Sequence, residues 1–128
     1  MAVIVTDDGF RADHWTGEIL DLGPEADPEA YAGHLDGPAM IRVAFPGFAD
    51  GRGFTIARRL RRMGYAGRLR AAGHVLADQY AMARRAGFDE VEIGAELAAR
   101  HPEEHWRARA DWRAHDYQAR LGAGRPFS

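Results

Sequence analysis

The chain has no cysteine and no lysine. Without cysteine it cannot form a disulfide, hold an iron–sulfur cluster through thiolates or carry a thiol redox step. Without lysine it has no amine for a Schiff base, and all 17 basic residues are arginine. No apolar run approaches the roughly 20 residues of a membrane-spanning helix. The start, Met1-Ala2-Val3-Ile4-Val5-Thr6-Asp7-Asp8, lacks the basic and long apolar regions of a signal peptide, so a cytoplasmic protein with no membrane partner is expected. The formal charge of −2 gives no reason to expect a nucleic-acid partner.

What the chain does have is enough apolar residues, 46% of 128, to fill a core. One domain over 1–128 is the expectation. Residues 2–6 read as a strand, Asp7-Asp8-Gly9 as a turn and 10–15 as the returning strand of an N-terminal hairpin. Four further strands are expected at 17–22, 40–45, 69–72 and 90–93. Helices are expected at 28–34 (capped by Asp27), 55–63 and 75–86, with Gly64 and Gly87 as stops. In the 55–63 helix Ile56, Ala57, Leu60 and Met63 form the apolar stripe. Residues 95–121 read as mostly helical and broken at Pro102, with Trp106, Ala110, Tyr117 and Leu121 on one face; the tail 122–128 reads as frayed. The expected fold is therefore α/β. It has a short, mostly parallel sheet of about four strands built from βα units, an N-terminal hairpin and a long C-terminal helical segment. A half-barrel that closes by forming a homodimer is a second arrangement.

The most distinctive stretch is Phe45-Pro46-Gly47-Phe48-Ala49-Asp50-Gly51-Arg52-Gly53-Phe54, between a strand and a helix. A glycine-rich turn into a helix N-terminus directs backbone N–H groups and partial positive charge at one place, which suits a small oxyanion. Ligands of parallel sheets sit beyond the carboxyl ends of the strands. That edge is expected to carry Asp50, Gly51, Arg52 and Gly53 after one strand, and Arg70, Gly73 and His74 at the next. Asp78 and Gln79 would support them from the following helix.

The same stretch, continued through Ala57-Arg58, Leu60-Arg61, Gly64-Tyr65, Gly67, Leu69-Arg70-Ala71, Gly73, Val75-Leu76, Asp78-Gln79 and Gly87-Phe88-Asp89, resembles a family of small bacterial proteins. It is domain-of-unknown-function family number 934. The strong part of the resemblance covers 45–89; Asp8 to Trp15 and Asp116-Tyr117-Gln118 match more weakly. The resemblance implies a setting in assimilatory sulfite or sulfate reduction, as an oxidoreductase or as an accessory protein that meets a reductase. The residues favour the accessory role. No Gly-x-Gly-x-x-Gly dinucleotide motif is present, since Ile56 stands at the third glycine position, and no cofactor is expected.

Each candidate has a plainer role beside it. Arg52 can fork onto sulfite, sulfate, phosphate or carboxylate, or it can pair with Asp50. Asp50 can accept from a substrate or cap the turn. His74 can act as acid or base near neutral pH or donate to an oxyanion. With His74 or Asp50 in that role, the chain would be a small enzyme acting on an anionic substrate. Asp78 and Gln79 can instead hydrogen-bond neighbouring backbone. His101-Pro102-Glu103-Glu104-His105 has the outline of an inverted zinc-protease motif. Pro102 breaks the helix between the two histidines, so no metal site is expected there, even with His115 ten residues on. Arg58, Arg59, Arg61, Arg62 and Arg68 form a basic stretch. With Trp112, expected on the surface, they would make the chain a structural interaction module.

Overall fold

The computed structural model describes residues 2–112. Its strands are β1 (Ala2–Thr6), β2 (Gly9–Ala12), β3 (Ile19–Leu22), β4 (Met40–Phe45), β5 (Arg68–Gly73) and β6 (Glu90–Gly94). Its α-helices are α1 (Arg52–Arg62), α2 (Tyr80–Ala86), α3 (Ala95–Arg100) and α4 (Glu103–Arg107), and short 3-10 turns cover Pro28–His34 and Ala77–Gln79. Asp27 caps the first of these turns by accepting from Glu29 N–H at 3.1 Å. Gly87 closes α2 with φ +116°, a conformation that favours glycine.

The sheet order is β2-β1-β6-β5-β4-β3. The four expected strands are present and run parallel in sequential order from β3 to β6. The expected sheet of about four mostly parallel strands needs correction, however. The hairpin is part of the sheet, which has six strands and mixes three parallel with two antiparallel pairings. The physical reason is that β6 would otherwise expose a free edge, and β1 fills it with Val3 opposite Ile93 and Val5 opposite Val91. The C-terminal segment breaks at Pro102 as expected, between α3 and α4, but α4 ends at Arg107 and residues 108–112 are not helical, so among the described residues the second piece is shorter than expected. Ala110 is half-buried. Tyr117, Leu121, Asp116, Gln118, His115 and the tail 122–128 lie outside the described residues.

Helices follow one face of the sheet. Ile41, Val43 and Phe45 of β4, Leu69 and Ala71 of β5, and Val91 and Ile93 of β6 pack there with Ile56, Ala57 and Leu60 of α1 and Tyr80 and Ala83 of α2. Trp106 of α4 is 1% exposed and meets Tyr80 edge-on at 6.2 Å. The alternate residues, Asp21, Arg42, Arg70, Glu90 and Glu92, point to the other face. One further segment crosses that face. Only residues 13–18 join β2 at one edge to β3 at the opposite edge, five strand spacings or about 24 Å away, which is near the full reach of the connection. This strap is pinned at its first residue, where Asp13 accepts from both terminal nitrogens of Arg70 at 3.1 and 3.2 Å. The expected second hairpin strand over 10–15 therefore ends at Ala12, because its remainder is spent on the crossing.

Candidate functional site

The carboxyl ends of β4, β5 and β6 meet around Phe45. Its ring packs on Phe54 at 5.0 Å and Phe88 at 5.7 Å. A Cβ on Gly53 would lie 2.4 Å from that ring, so glycine here permits the first turn of α1 to close on Phe45. A Cβ on Gly73, whose φ is +118°, would lie 2.5 Å from the Phe45 carbonyl oxygen. That carbonyl accepts from the His74 backbone N–H at 2.9 Å. Gly53 and Gly73 thus serve close approach to one aromatic residue.

Helix α1 begins at Arg52, so Arg52 and Gly53 belong to its first turn and Gly51, with φ −88°, precedes it. Asp50 accepts from the Arg52 backbone N–H at 3.2 Å and from the guanidinium at 2.9 and 2.7 Å. The side-chain hydrogen bonds from Arg52, then its backbone N–H, hold the Asp50 carboxyl at about 2. A carboxylate so placed is a poor base at neutral pH, and it supplies the helix start and Arg52 with an anion from within the chain. Asp78 is exposed. Gln79 accepts from Leu76 N–H at 2.8 Å and donates to the Phe48 carbonyl at 3.1 Å, tying the loop after β4 to the segment after β5.

Arg70 is not brought to this edge. It lies mid-strand on the opposite face, its side chain 3% exposed, and donates to Glu90 at 2.7 Å, Glu92 at 2.9 Å and Asp13. Burial opposes its charge, but these three carboxylates outweigh the burial and raise its pKa above the ordinary arginine value. Three acids leave Arg70 no spare capacity for a ligand.

His74 is brought to the edge, and with partners the sequence reading missed. Its ring lies edge-on to Phe48 at 5.1 Å, and its Nδ1 is 3.2 Å from the Phe45 carbonyl oxygen. A carbonyl only accepts, so this contact selects the tautomer protonated at Nδ1 and leaves Nε2 as the basic nitrogen. Phe48, Gly73, His74, Gly94, Glu96, Leu97 and Arg100 line a cleft of about 330 Å³. Arg100 pairs with Glu96 at 3.2 Å, and both side chains are largely exposed. Gly94 ends β6 as Gly73 ends β5, so the rule that selected Gly73 and His74 also reaches Gly94 and α3 once the third strand end is considered.

A family model described as "Bacterial protein of unknown function (DUF934)" matches residues 20–128. The chain belongs to this family. No curated protein and no solved structure matches it.

Other candidates of this DUF934 chain have structural partners. Arg61 of α1 donates to the Gly87, Tyr65 and Gly67 carbonyls at 3.0, 2.9 and 2.7 Å and to Asp89 at 2.9 Å. Arg59 pairs with Asp27 and Glu29, and Arg68 with Glu90, whereas Arg58 and Arg62 of the basic stretch are exposed and make no salt bridge with a described residue. Trp112, expected on the surface, is half-buried: Arg84 stacks over its ring at 4.8 Å and its indole N–H donates to Asp7 at 3.3 Å. Asp7 also accepts from Tyr80 and Arg84. Burial alone would raise the Asp7 pKa, but these hydrogen bonds outweigh it and lower it. Burial first, then Asp7, pushes the Tyr80 phenol well above its ordinary range. His101 and His105 face one another with ring centres 6.4 Å apart, and among the described residues no cluster of three or more His, Asp or Glu is placed to hold a metal. No helix among them is long and apolar enough to cross a membrane.

Proposed function

We propose that this DUF934 protein is an accessory binding protein of sulfite or sulfate reduction that recognises a small oxyanion, or an anionic group of a partner reductase, at the carboxyl edge of its sheet. The observation that carries this reading is the cleft where His74 and Arg100 face a common space of about 330 Å³. Asp50 already occupies Arg52, so the anion is assigned to the neighbouring cleft rather than to the Gly51-Arg52-Gly53 turn. Arg100 is held only by an exposed pair with Glu96. Exchanging such a partner for a bound oxyanion costs little, since exposed pairs contribute about 0–1 kcal/mol. The metabolic setting rests on the family resemblance; the anion preference rests on the side chains.

The test is a thermal-shift and calorimetric panel of sulfite, sulfate, phosphate and adenosine phosphosulfate. A ligand that binds only the folded chain raises its melting temperature with saturation. The expected result is a shift with one oxyanion that disappears in His74→Ala and Arg100→Ala but persists in Arg52→Ala. A shift lost only in Arg52→Ala returns the site to the Gly-Arg-Gly turn, and no shift with any member rejects small-anion binding. The free Nε2 of His74 favours a second reading, a small enzyme with His74 as general base. Turnover of an anionic substrate that survives His74→Ala removes it.

A further inference from the structure

The two edges of the sheet are treated differently. At the β2 edge, the outward Phe10 N–H donates to the Glu103 carboxylate at 2.9 Å, which occupies a position that a docking strand would need. At the other edge, no described strand pairs with the outer side of β3. Beside β3 lies a groove of about 550 Å³ with a mostly apolar lining that includes Ile19, Leu20, Ala30, Tyr31 and Pro38. An unpaired edge next to an apolar groove is the geometry of strand addition: backbone hydrogen bonds supply affinity, and alternate side chains fill the groove.

Charge decides what fits there. Residues 12–41 contain seven acids (Asp13, Glu18, Asp21, Glu25, Asp27, Glu29 and Asp36) and no arginine. Four of these are paired, with Arg70, Arg42 and Arg59. Glu18, Glu25 and Asp36 make no salt bridge with any described residue, and Glu18 lines the groove itself. A second copy of this chain pairing β3 with β3 would bring these acids together, which is unfavourable. A basic segment would find complementary charge.

We infer that the β3 edge is a docking site for an extended segment of a partner protein whose basic and apolar residues alternate. In an added strand, side chains of one parity continue the helix-covered face, beside Leu20 and Tyr31, and those must be apolar. Side chains of the other parity continue the opposite face, beside Ile19 and Asp21, where Asp13, Asp21, Glu90 and Glu92 share only Arg42, Arg68 and Arg70, and those should be basic. This site is at the opposite end of the parallel strands from β6 and does not depend on the anion cleft.

The test uses the whole chain and three fluorescent hexapeptides: one alternating valine and arginine, one alternating valine and glutamate, and one with the basic composition but proline at the third and fifth positions. Binding is read by anisotropy and the location by amide hydrogen exchange of 19–22. We expect the alternating basic peptide to bind roughly tenfold or more tighter than either control, because charge and strand pairing are both required. Glu18→Arg, with an unchanged melting temperature, should weaken it; Tyr31→Ala, compared at a temperature where the variant is still folded because Tyr31 also packs on the core, should weaken it too, and the β3 amides should be protected. Equal binding of the proline peptide reduces the effect to charge alone and overturns the proposal, as does equal binding of the acidic peptide or protection elsewhere. Concentration-dependent protection of β3 without peptide overturns it in favour of self-association.

Discussion

The two faces of this sheet are built from neighbouring residues and hold together by different physics. On the helix-covered face Leu69, Ala71, Val43 and Val91 are fully buried and need only volume and shape. On the other face Arg70 and Glu90 are almost as buried, 2% and 4% exposed, yet they are ions. They are tolerated there because each charge is matched: Arg70 by Glu90, Glu92 and Asp13, and Arg42 by Asp21 and Glu92. An apolar face resists small changes in composition by repacking. A buried ionic face resists nothing if one partner is removed, because the others are then left buried and uncompensated.

The largest expected effect is on the apolar face. Phe45→Ala removes the ring that Phe54, Phe88 and Gly53 close upon, and should cost about 3–5 kcal/mol in denaturant unfolding. Arg70→Met comes close behind, at about 3 kcal/mol, although the new side chain is apolar and of similar length, because buried Glu90 keeps only the half-exposed Arg68 and Asp13 loses its arginine. The comparison is sharpened by Arg70→Met with Glu90→Leu. Recovery of most of the loss would show that the ionic face stabilises no more than an apolar one would; continued instability would show that Asp13 and Glu92 need the arginine too, or that Arg68 needs Glu90.

A smaller effect is expected from pH. Hydrogen bonds from Arg70 lower the Asp13 carboxyl below its ordinary 3.8, and Asp7 is lowered as well. A group whose pKa is lowered by folding stabilises above its unfolded pKa and loses that contribution as pH falls through the folded value. Stability should therefore decline below about pH 4 and not between pH 5 and 8 on account of these groups. Asp13→Asn should flatten that acid limb. It should also speed hydrogen exchange at Trp15 N–H, which donates to Asp13 at 3.1 Å, because the strap loses its pin. Arg52→Ala should do least: its pair with Asp50 is at the surface, and the melting temperature should stay within experimental scatter.

Much of the fold was legible from local pattern. The parallel strands, the Asp27 cap, the stripe of Ile56, Ala57 and Leu60, and the stop at Gly87 all follow from periodicity and backbone preference. The one-sided character of the sheet was not read, although the alternation of Arg42 with Val43, Arg70 with Ala71 and Glu92 with Val91 carries it, a period that doubly covered parallel strands do not show. The candidate site was legible only in part. His74 was found because it follows a strand end. Arg100 was not, because it follows β6 by a full helix, and only the fold brings α3 back beside Gly73. Arg70 was selected for its chemistry, but strand parity turned it to the other face.

By itself the sequence determined which segments are strands and helices, that no thiol or lysine chemistry is present, and that residues 12–41 are acidic without arginine. These depend on composition and on spacings of two to four residues, which act locally. Only the tertiary structure decided that the hairpin completes the sheet at β6 and that Arg70 is spent on three acids. It also decided that Arg52 turns to Asp50 and that Phe48, His74 and Arg100 share a cleft. Each of those is a choice among several partners of suitable charge or shape, made by strand register and chain reach across the sheet, and local sequence does not encode either.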